Sequence, residues 1–275
     1  MATAVPLLVG GALAVSGGRF SPLGWSDVFL VALLMQVGTN ALNEYGDYRH
    51  EVDTVPSPGI AGVIVSGEVS ASEVLIAAAT CYAVAFFLGL LLVLERGVFL
   101  LILGIAAILA GVLYSEGPLP ISSTSFGEVL VGVVMGPIEI VSADLAASGA
   151  ISNLALVYSI PVGLMVASIL LTNNLRDVDK DRDHGRRTLA VLIGRKRGSF
   201  LLLGLMLSAL VWSIPAYFLY SIYASVFLVW FALPLVVRSY SHLMNGREWT
   251  TSVPRIAMIH IIIGLLLTLS IILRV

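Results

Sequence analysis

Two short polar clusters interrupt this chain and share one pattern of residue types. In each, acidic residues follow an asparagine at the fourth and eighth positions: Asn43, Asp47 and Glu51 in the first cluster, and Asn173, Asp177 and Asp181 in the second. Positions four apart share one face of a helix. The spacing therefore predicts that each cluster aims an amide and one or two carboxylates at a common point.

Helix stability does not explain these acids. Carboxylates at this spacing repel each other by about a few tenths of a kcal/mol per pair, and the C-terminal end of a helix favours cations. A divalent cation does explain them, because Mg²⁺ takes oxygen ligands and is usually held by one or two carboxylates together with substrate phosphates. Two facing clusters predict a diphosphate held between two Mg²⁺ ions, with Lys180, Arg186 and Arg187 as further anion contacts.

A pair of solvated loops held by salt bridges is the alternative interpretation. One cluster alone leaves that alternative open, but two clusters with the same spacing favour the metal site. Asp179 and Asp183 lie off the shared helical face, so we expect both to be solvated.

The composition places the chain in the membrane. Of its 275 residues, 58% are hydrophobic and 12% are charged, and the mean hydropathy is +0.99, whereas about a quarter of the residues in a soluble domain are charged. The net charge of −2 shows no basic excess of the kind that nucleic-acid partners require, and no segment indicates an obligate protein partner. Cys81 is the single cysteine, which excludes an intrachain disulfide and a metal site built on several thiolates.

Apolar runs separated by polar breaks predict nine membrane spans, since a span needs about 20 apolar residues. Backbone groups in hydrocarbon must bond internally, so each span is predicted to be a helix. We expect an all-α, polytopic membrane bundle that forms one domain over residues 1–275. The predicted spans are 2–16, 26–46, 71–94, 97–115, 126–146, 152–175, 198–217, 220–241 and 254–273.

The basic residues sort to one side of this predicted topology. All but three of the 15 lysines and arginines fall on the side that holds the N-terminus and both acidic clusters; the exceptions are Arg19, Arg96 and Arg274. Cytoplasmic loops carry such an excess of lysine and arginine. The clusters are therefore predicted to be cytoplasmic, in an integral protein of a prokaryotic inner membrane.

Both clusters resemble the aspartate-rich motifs of the UbiA superfamily of intramembrane aromatic prenyltransferases. The resemblance extends to that superfamily's menaquinone branch. In the first cluster, NEYGD followed by Asp53 is similar to the branch's N-D-Y-x-D-x5-D. In the second cluster, NNLRD with GRRTLAV is similar to N-N-x-R-D-x3-D-x3-G-K-R-T-L-A-V. Tyr114 with Pro118, and Gly127 with Glu128, resemble its Y-x-x-x-P and G-x-G-E elements.

The resemblance implies Mg²⁺-dependent transfer of a polyprenyl group from polyprenyl diphosphate to an aromatic acceptor in the bilayer, and the menaquinone branch uses 1,4-dihydroxy-2-naphthoate. It implies catalytic and metal-binding roles for Asp47, Asp53, Asp177 and Asp181, with Asn43 and Asn174 as neutral ligands or as residues that orient the ligands. Glu51, favoured by an unbroken helix, stays the alternative to Asp53. The implied substrate contacts are Asn43, Tyr45, Arg49, Tyr114, Asn174, Arg176, Lys180, Arg186 and Arg187, among which tyrosine faces suit an allylic cation.

Three departures from the branch's pattern stand in this sequence. Glu44 replaces an aspartate, Arg186 replaces a lysine, and the first loop, VPSPGIAGVIVSGEVS, has no basic residue where relatives carry one. Other acceptors of the superfamily therefore stay open, namely 4-hydroxybenzoate, homogentisate, a porphyrin or a glycerol-phosphate lipid. A cation-coupled transporter is the alternative from another class, but transporters bind ions near the membrane midplane, whereas these acids lie at helix ends.

Overall fold

The computed structural model describes residues 2–52, 62–220, 222–244 and 249–273, and within those ranges it is helical with no strand. We number the helices α1 to α10 in chain order. They are α1 (Ala4–Ser16), α2 (Pro22–Arg49), α3 (Ala71–Arg96), α4 (Val98–Ser115), α5 (Gly127–Ser148), α6 (Ala155–Arg176), α7 (Val178–Asp183), α8 (Leu189–Tyr220), α9 (Ala224–Met244) and α10 (Ser252–Leu273).

The helices confirm the predicted all-α membrane bundle. In the described part of the chain, eight helices are long and apolar enough to cross a bilayer, and α1, with 13 residues, is shorter. Each predicted span corresponds to one of these nine helices. The short helix α7 is additional and lies within the second acidic cluster.

Two helices begin or wind differently from the sequence-based expectation. Helix α8 starts at Leu189 rather than near residue 198, because the Thr188 side chain accepts a hydrogen bond from the Val191 amide and caps the helix. It is then broken at Gly194, where φ is 77°. Helix α9 opens with nine residues of 3₁₀ helix, Ala224–Ala232.

Helix α6 lies at the centre of the bundle. In its most apolar 18-residue window 72% of the residues are buried, against 17% in α3 and 11% in α4. It packs against α5, α8 and α10, and contributes Met165 and Leu171 to the buried core. Because α6 is fixed on several sides, its C-terminal end, which carries the second acidic cluster, has a defined position.

Helices α5 and α6 meet through small residues. A Cβ atom added at Gly136 would lie 2.9 Å from the Cα of Gly163, so only glycine allows the two backbones to approach this closely. Gly136 lies in a π-helical turn, Val134–Ile138, that contains Pro137. Lipid provides no hydrophobic force between helices, and close packing of small residues holds them together instead.

Candidate active site

A cavity of about 800 Å³ lies between α2, α3, α4, α5 and α6. Its long wall is apolar and includes Phe86, Leu101, Ile105, Leu130 and Met135. At one end of the cavity, the C-terminal ends of α2 and α6, together with α7 and the turn that follows it, contribute a group of polar and charged side chains: Asn43, Glu44, Asp47, Asn173, Asn174, Arg176, Asp177, Lys180, Asp181 and Arg186. Tyr114 also lines this cavity. The arrangement suits a molecule with an anionic head and a long apolar tail.

The first cluster is fixed by the last turns of α2 and by the end of α4. The Asn43 amide donates a hydrogen bond from Nδ2 to the Asp47 carboxylate at 3.1 Å. Ser115, the last residue of α4, donates from its hydroxyl to Asn43 Oδ1 at 3.5 Å. The side chains of Asn43 and Asp47 therefore lie together on the cavity wall, as the spacing of four predicts.

The second cluster continues the helical register of α6 through α7. The Asp177 amide donates to the Asn173 carbonyl at 3.1 Å, and the Asp181 amide donates to the Asp177 carbonyl at 2.9 Å. Arg176 holds the Asp177 carboxylate through Nε at 2.8 Å and Nη2 at 2.6 Å. The predicted shared face of Asn173, Asp177 and Asp181 is thus present, and all three line the cavity.

A tight turn after α7 brings Arg186 back to the acids. Gly185 has φ 72°, a left-handed conformation that glycine adopts without strain. The Gly185 amide donates to the Arg182 carbonyl at 3.0 Å and the Arg186 amide donates to the Asp181 carbonyl at 2.9 Å. This is the Schellman pattern of a helix end, and it directs the Arg186 side chain toward Asp181.

Arg186 joins the two clusters. Its Nη2 donates to Asp47 Oδ1, and its Nη1 donates to Asp181 Oδ1 at 3.4 Å. Burial raises the pKa of Asp181, and the neighbouring carboxylates of Asp177 and Asp47 act in the same direction, while Arg186 opposes them. Burial by itself would lower the pKa of Arg186, but Asp47 and Asp181 outweigh it and the pKa is raised. Arg186 is therefore a fixed cation between two carboxylates.

Several sequence-predicted residues lie elsewhere. Helix α2 ends at Arg49, and Glu51 follows it in a left-handed conformation with φ 56°, exposed to solvent. Glu51 therefore does not share the helical face of Asn43 and Asp47, which removes the spacing argument for it as a metal ligand. Asp53 lies outside the described residues.

Three predicted substrate contacts do not line the cavity: Tyr45, Arg49 and Arg187. Arg49 is largely exposed and pairs with Glu116 at 3.4 Å. Arg187 is exposed, and its backbone amide donates to the Ser123 carbonyl at 2.8 Å. Their places give no support to the predicted contacts.

The two acids expected to be solvated differ from each other. Asp183 is exposed, as predicted. Asp179 is also largely exposed, but it accepts hydrogen bonds from Arg182 at 3.2 Å and Arg195 at 2.7 Å. Arg195 further donates to the carbonyls of Leu175 and Arg176 at 3.2 and 3.1 Å, so it caps the end of α6.

Two polar contacts at the membrane spans were not predicted from the sequence. One is a hydrogen-bonded row on the cavity wall, in which Thr3 donates to Gln36 at 2.8 Å and Gln36 donates to Asn40 at 2.9 Å. The other is the partner of Glu128, whose carboxylate accepts a hydrogen bond from Asn174 Nδ2 at 2.9 Å. Gln36, Asn40 and Asn43 recur at helical spacing inside an apolar span, a signal that was available from the sequence.

The donor atoms suit Mg²⁺ only if a ligand completes the site. Among the described residues no group of three acidic, histidine or cysteine side chains is close enough to hold a metal ion. However, Mg²⁺ is commonly held by one or two carboxylates and by substrate phosphates. The amides and carboxylates of Asn43 with Asp47, and of Asn173 with Asp177, meet that requirement in two separate pairs.

Comparison with known proteins identifies the family of this chain. The model of the UbiA prenyltransferase family matches residues 3–267. The 1,4-dihydroxy-2-naphthoate octaprenyltransferase of Bacillus subtilis (strain 168) is 34% identical over 211 residues, which make up 77% of this chain and 68% of that protein.

Solved structures show the same fold. The apo structure of a UbiA homolog from Aeropyrum pernix K1 superposes with a TM-score of 0.75 at 20% identity, covering 96% of this chain and 95% of the other. A UbiA homolog from Archaeoglobus fulgidus, bound to GPP and Mg²⁺, gives a TM-score of 0.68 at 15% identity, with 98% and 96% covered. The family match and the Bacillus subtilis relative favour a prenyltransferase over the transporter alternative, and the chain belongs to the UbiA prenyltransferase family.

Proposed function

We propose that this enzyme transfers a polyprenyl group from polyprenyl diphosphate to 1,4-dihydroxy-2-naphthoate, with Mg²⁺ bound at the two acidic clusters. One observation carries the proposal: Arg186 joins Asp47 and Asp181 at the polar lining of a long apolar cavity. This arrangement supports the proposal, because a cation and candidate metal-binding carboxylates lie together at the end of the cavity where a diphosphate head would lie when its tail fills the cavity. The name of the Bacillus subtilis relative supports the acceptor.

The diphosphate is held from both sides of the cavity in this proposal. Asp47, with Asn43 beside it, serves one Mg²⁺ site, and Asp177 and Asp181 serve the other; Asp53 stays a proposed ligand on the first side. Bound Mg²⁺ supplies Lewis-acid neutralisation of the leaving group. Lys180, Arg176 and Arg186 line the same space, and their positive charges stabilise the departing diphosphate.

Bond making and breaking balance without a further reactant. The allylic C–O bond breaks and the diphosphate departs with the electron pair. The ring carbon that bears the acceptor's carboxylate bonds to the allylic carbon, and the carboxylate leaves as carbon dioxide, which restores the aromatic ring.

The cavity protects this step from water. The apolar wall formed by α3, α4 and α5 encloses the tail, and water exclusion prevents hydrolysis of a cationic allyl group. Tyr114 lines the cavity, and an aromatic face stabilises a cation by up to about 2 kcal/mol when both are desolvated. Tyr45 and Arg49 stay proposed contacts that a substrate-bound structure is needed to test.

The acidic clusters face the cytoplasm in this proposal. The excess of lysine and arginine on that side supports it. A water-soluble acceptor and diphosphate would then reach the site from the cytoplasm, while the prenyl tail enters from the bilayer.

Purified protein in detergent, incubated with geranylgeranyl diphosphate, Mg²⁺ and each candidate acceptor, tests the proposal. We expect prenylated naphthalenediol and carbon dioxide from 1,4-dihydroxy-2-naphthoate. A product formed only from 4-hydroxybenzoate, homogentisate, a porphyrin or a glycerol-phosphate lipid would overturn the acceptor assignment. Absence of diphosphate release with every acceptor would overturn the catalytic proposal.

A further inference from the structure

Glu128 is a buried carboxylate that lies behind the active-site cavity. It belongs to the first turn of α5, is only 4% exposed and does not line the cavity. Its Oε1 accepts a hydrogen bond from Asn174 Nδ2 at 2.9 Å, and its Oε2 is buried without a hydrogen-bond partner among the described residues. A buried polar atom without a partner destabilises the fold. The burial of the Glu128 carboxylate therefore needs an explanation other than stability.

Asn174 is the residue between Glu128 and the cavity. It is 8% exposed and lines the cavity beside Asn173 and Asp177. An asparagine amide has one oxygen that accepts and one NH₂ group that donates, whereas a carboxylate oxygen only accepts. Because Glu128 accepts from Nδ2, the amide is held with its nitrogen toward α5, and Oδ1 is left for the cavity.

We propose that Glu128 is a positioning residue that fixes the Asn174 amide so that its oxygen serves as a neutral ligand on the cation side of the diphosphate site. The inference rests on the proposed function. Without the Glu128 acceptor, the amide is free to turn its NH₂ group into the cavity, where it repels a cation. Outer residues that orient a metal ligand commonly contribute about 10- to 100-fold to metal affinity.

Two substitutions at Glu128 separate orientation from packing. Glu128→Met removes the acceptor and keeps an unbranched side chain of similar length. Glu128→Gln keeps a carbonyl oxygen that accepts from Asn174 Nδ2. We expect Glu128→Met to weaken metal binding by about 10- to 100-fold, and Glu128→Gln to recover most of that loss.

Asp144 provides a matched control on the same helix. It is 1% exposed, accepts a hydrogen bond from the Ser152 amide at 2.6 Å and does not line the cavity. Asp144→Asn therefore alters a buried carboxylate of α5 without altering the Asn174 amide. We expect this variant to lose thermal stability and to bind metal as the parent chain does.

Electron paramagnetic resonance measures the affinity of the detergent-solubilised protein for Mn²⁺. Inorganic diphosphate is present in each titration. Equal Mn²⁺ affinity in Glu128→Met and the parent chain would overturn the inference. So would an equal loss of affinity in Asp144→Asn, because that result indicates general destabilisation.

A second pair of substitutions, which exchanges the carboxylate of Glu128 and the amide of Asn174, tests the inference if Glu128→Met does not fold. Asn174→Asp places two carboxylates 2.9 Å apart, so we expect this variant to lose folded protein and Mn²⁺ binding. Combining Asn174→Asp with Glu128→Gln provides an amide that donates a hydrogen bond to the new carboxylate. We expect this double variant to recover folded protein and Mn²⁺ binding. Failure of the second substitution to restore binding would contradict the inference.

The same measurements distinguish this inference from the proposed function. Mn²⁺ and diphosphate binding need neither a prenyl chain nor an acceptor. A parent chain that binds both but prenylates no dihydroxynaphthoate refutes the acceptor and leaves the Glu128 inference standing. A parent chain that binds no Mn²⁺ refutes the metal site itself.

Discussion

Arg186 donates a hydrogen bond to Asp47, a residue 139 positions earlier in the chain. The same guanidinium donates to Asp181, so one side chain joins the end of α2 to the helix that follows α6. The side chains of Arg186, Asp47 and Asp181 are 16%, 18% and 5% exposed, so water screens these charges only weakly. Arg186 therefore neutralises carboxylates that would otherwise repel each other.

Replacing Arg186 by methionine should destabilise the protein and lower its affinity for prenyl diphosphate. Removing one partner of a buried ion pair typically costs about 3–5 kcal/mol, because the other charge is left unpaired. Added Mg²⁺ should restore part of the thermal stability of Arg186→Met, since the cation replaces the missing charge.

Thermal unfolding in detergent with and without Mg²⁺ checks this prediction, and Arg182→Met is its control. Arg182 lies within the same acidic cluster, but its side chain is 55% exposed and pairs with the surface residue Asp179. Such surface pairs contribute about 0–1 kcal/mol. An Arg186→Met variant as stable as Arg182→Met, with an unchanged KM for the diphosphate, would contradict the assigned role.

Asp177→Asn should abolish turnover and leave the protein folded. Arg176 holds the Asp177 carboxylate through two hydrogen bonds, and asparagine provides only one acceptor oxygen and no charge for a cation. We expect kcat to fall by more than about 100-fold, which corresponds to about 2.7 kcal/mol. Asp183→Asn is the control, because Asp183 is exposed. Near-normal turnover in Asp177→Asn would remove Asp177 from the site.

Local spacing predicted the parts of the site that lie within one helix. Asn43 and Asp47 lie together because α2 continues to Arg49, and Asp181 continues the face of Asp177 because backbone hydrogen bonds bridge α6 and α7. The same reasoning was wrong about the face of Glu51. It assumed an unbroken helix, whereas α2 ends two residues before this position.

Contacts between distant segments were beyond the reach of the sequence pattern. The Arg186 to Asp47 contact depends on how two helix ends are placed, and no periodicity relates loops so far apart in the chain. Glu128 stood in a recognisable G-E element, but nothing in that element indicates Asn174 as its partner. Composition and span length, by contrast, were enough to predict the helical bundle, because the bilayer imposes both.

Arg195→Met should loosen the end of α6. Arg195 donates to the carbonyls of Leu175 and Arg176, which no further helical turn satisfies. Losing these charge-assisted hydrogen bonds should cost about 1–3 kcal/mol of stability and lower kcat by displacing the second cluster. Arg197→Met, an exposed change two residues on, is the control. Equal thermal midpoints for the two variants would show that Arg195 does not hold the helix end.

The proposed orientation predicts which loops a reagent reaches from outside the cell. Cys81 is the single cysteine, so Cys81→Ser provides a background free of thiols. In that background Asn153→Cys, after α5, should react with a membrane-impermeant maleimide in intact cells. Arg197→Cys should react only after the membrane is permeabilised, because its side carries the basic excess. The reverse labelling pattern would show that the acidic clusters face the outside of the cell.

Gly104→Phe should shorten the prenyl chain that the enzyme accepts. Gly104 lines the cavity, and a Cβ atom added there meets no other atom within 4 Å, so a larger side chain would begin in open space and extend into the cavity. Gly204 of α8 is equally open to a Cβ atom but does not line the cavity, which makes Gly204→Phe the matched control.

The measurement for this pair is kcat/KM with geranyl and geranylgeranyl diphosphate, each at saturating acceptor. If the tail lies in the cavity, Gly104→Phe should reduce kcat/KM for the longer substrate by at least about tenfold, equivalent to about 1.4 kcal/mol, and spare the shorter one. Gly204→Phe should leave the ratio between the two substrates unchanged. A Gly104→Phe variant with the parent's ratio would mean that the tail does not run along α4, and the cavity would then have to serve another part of the substrate.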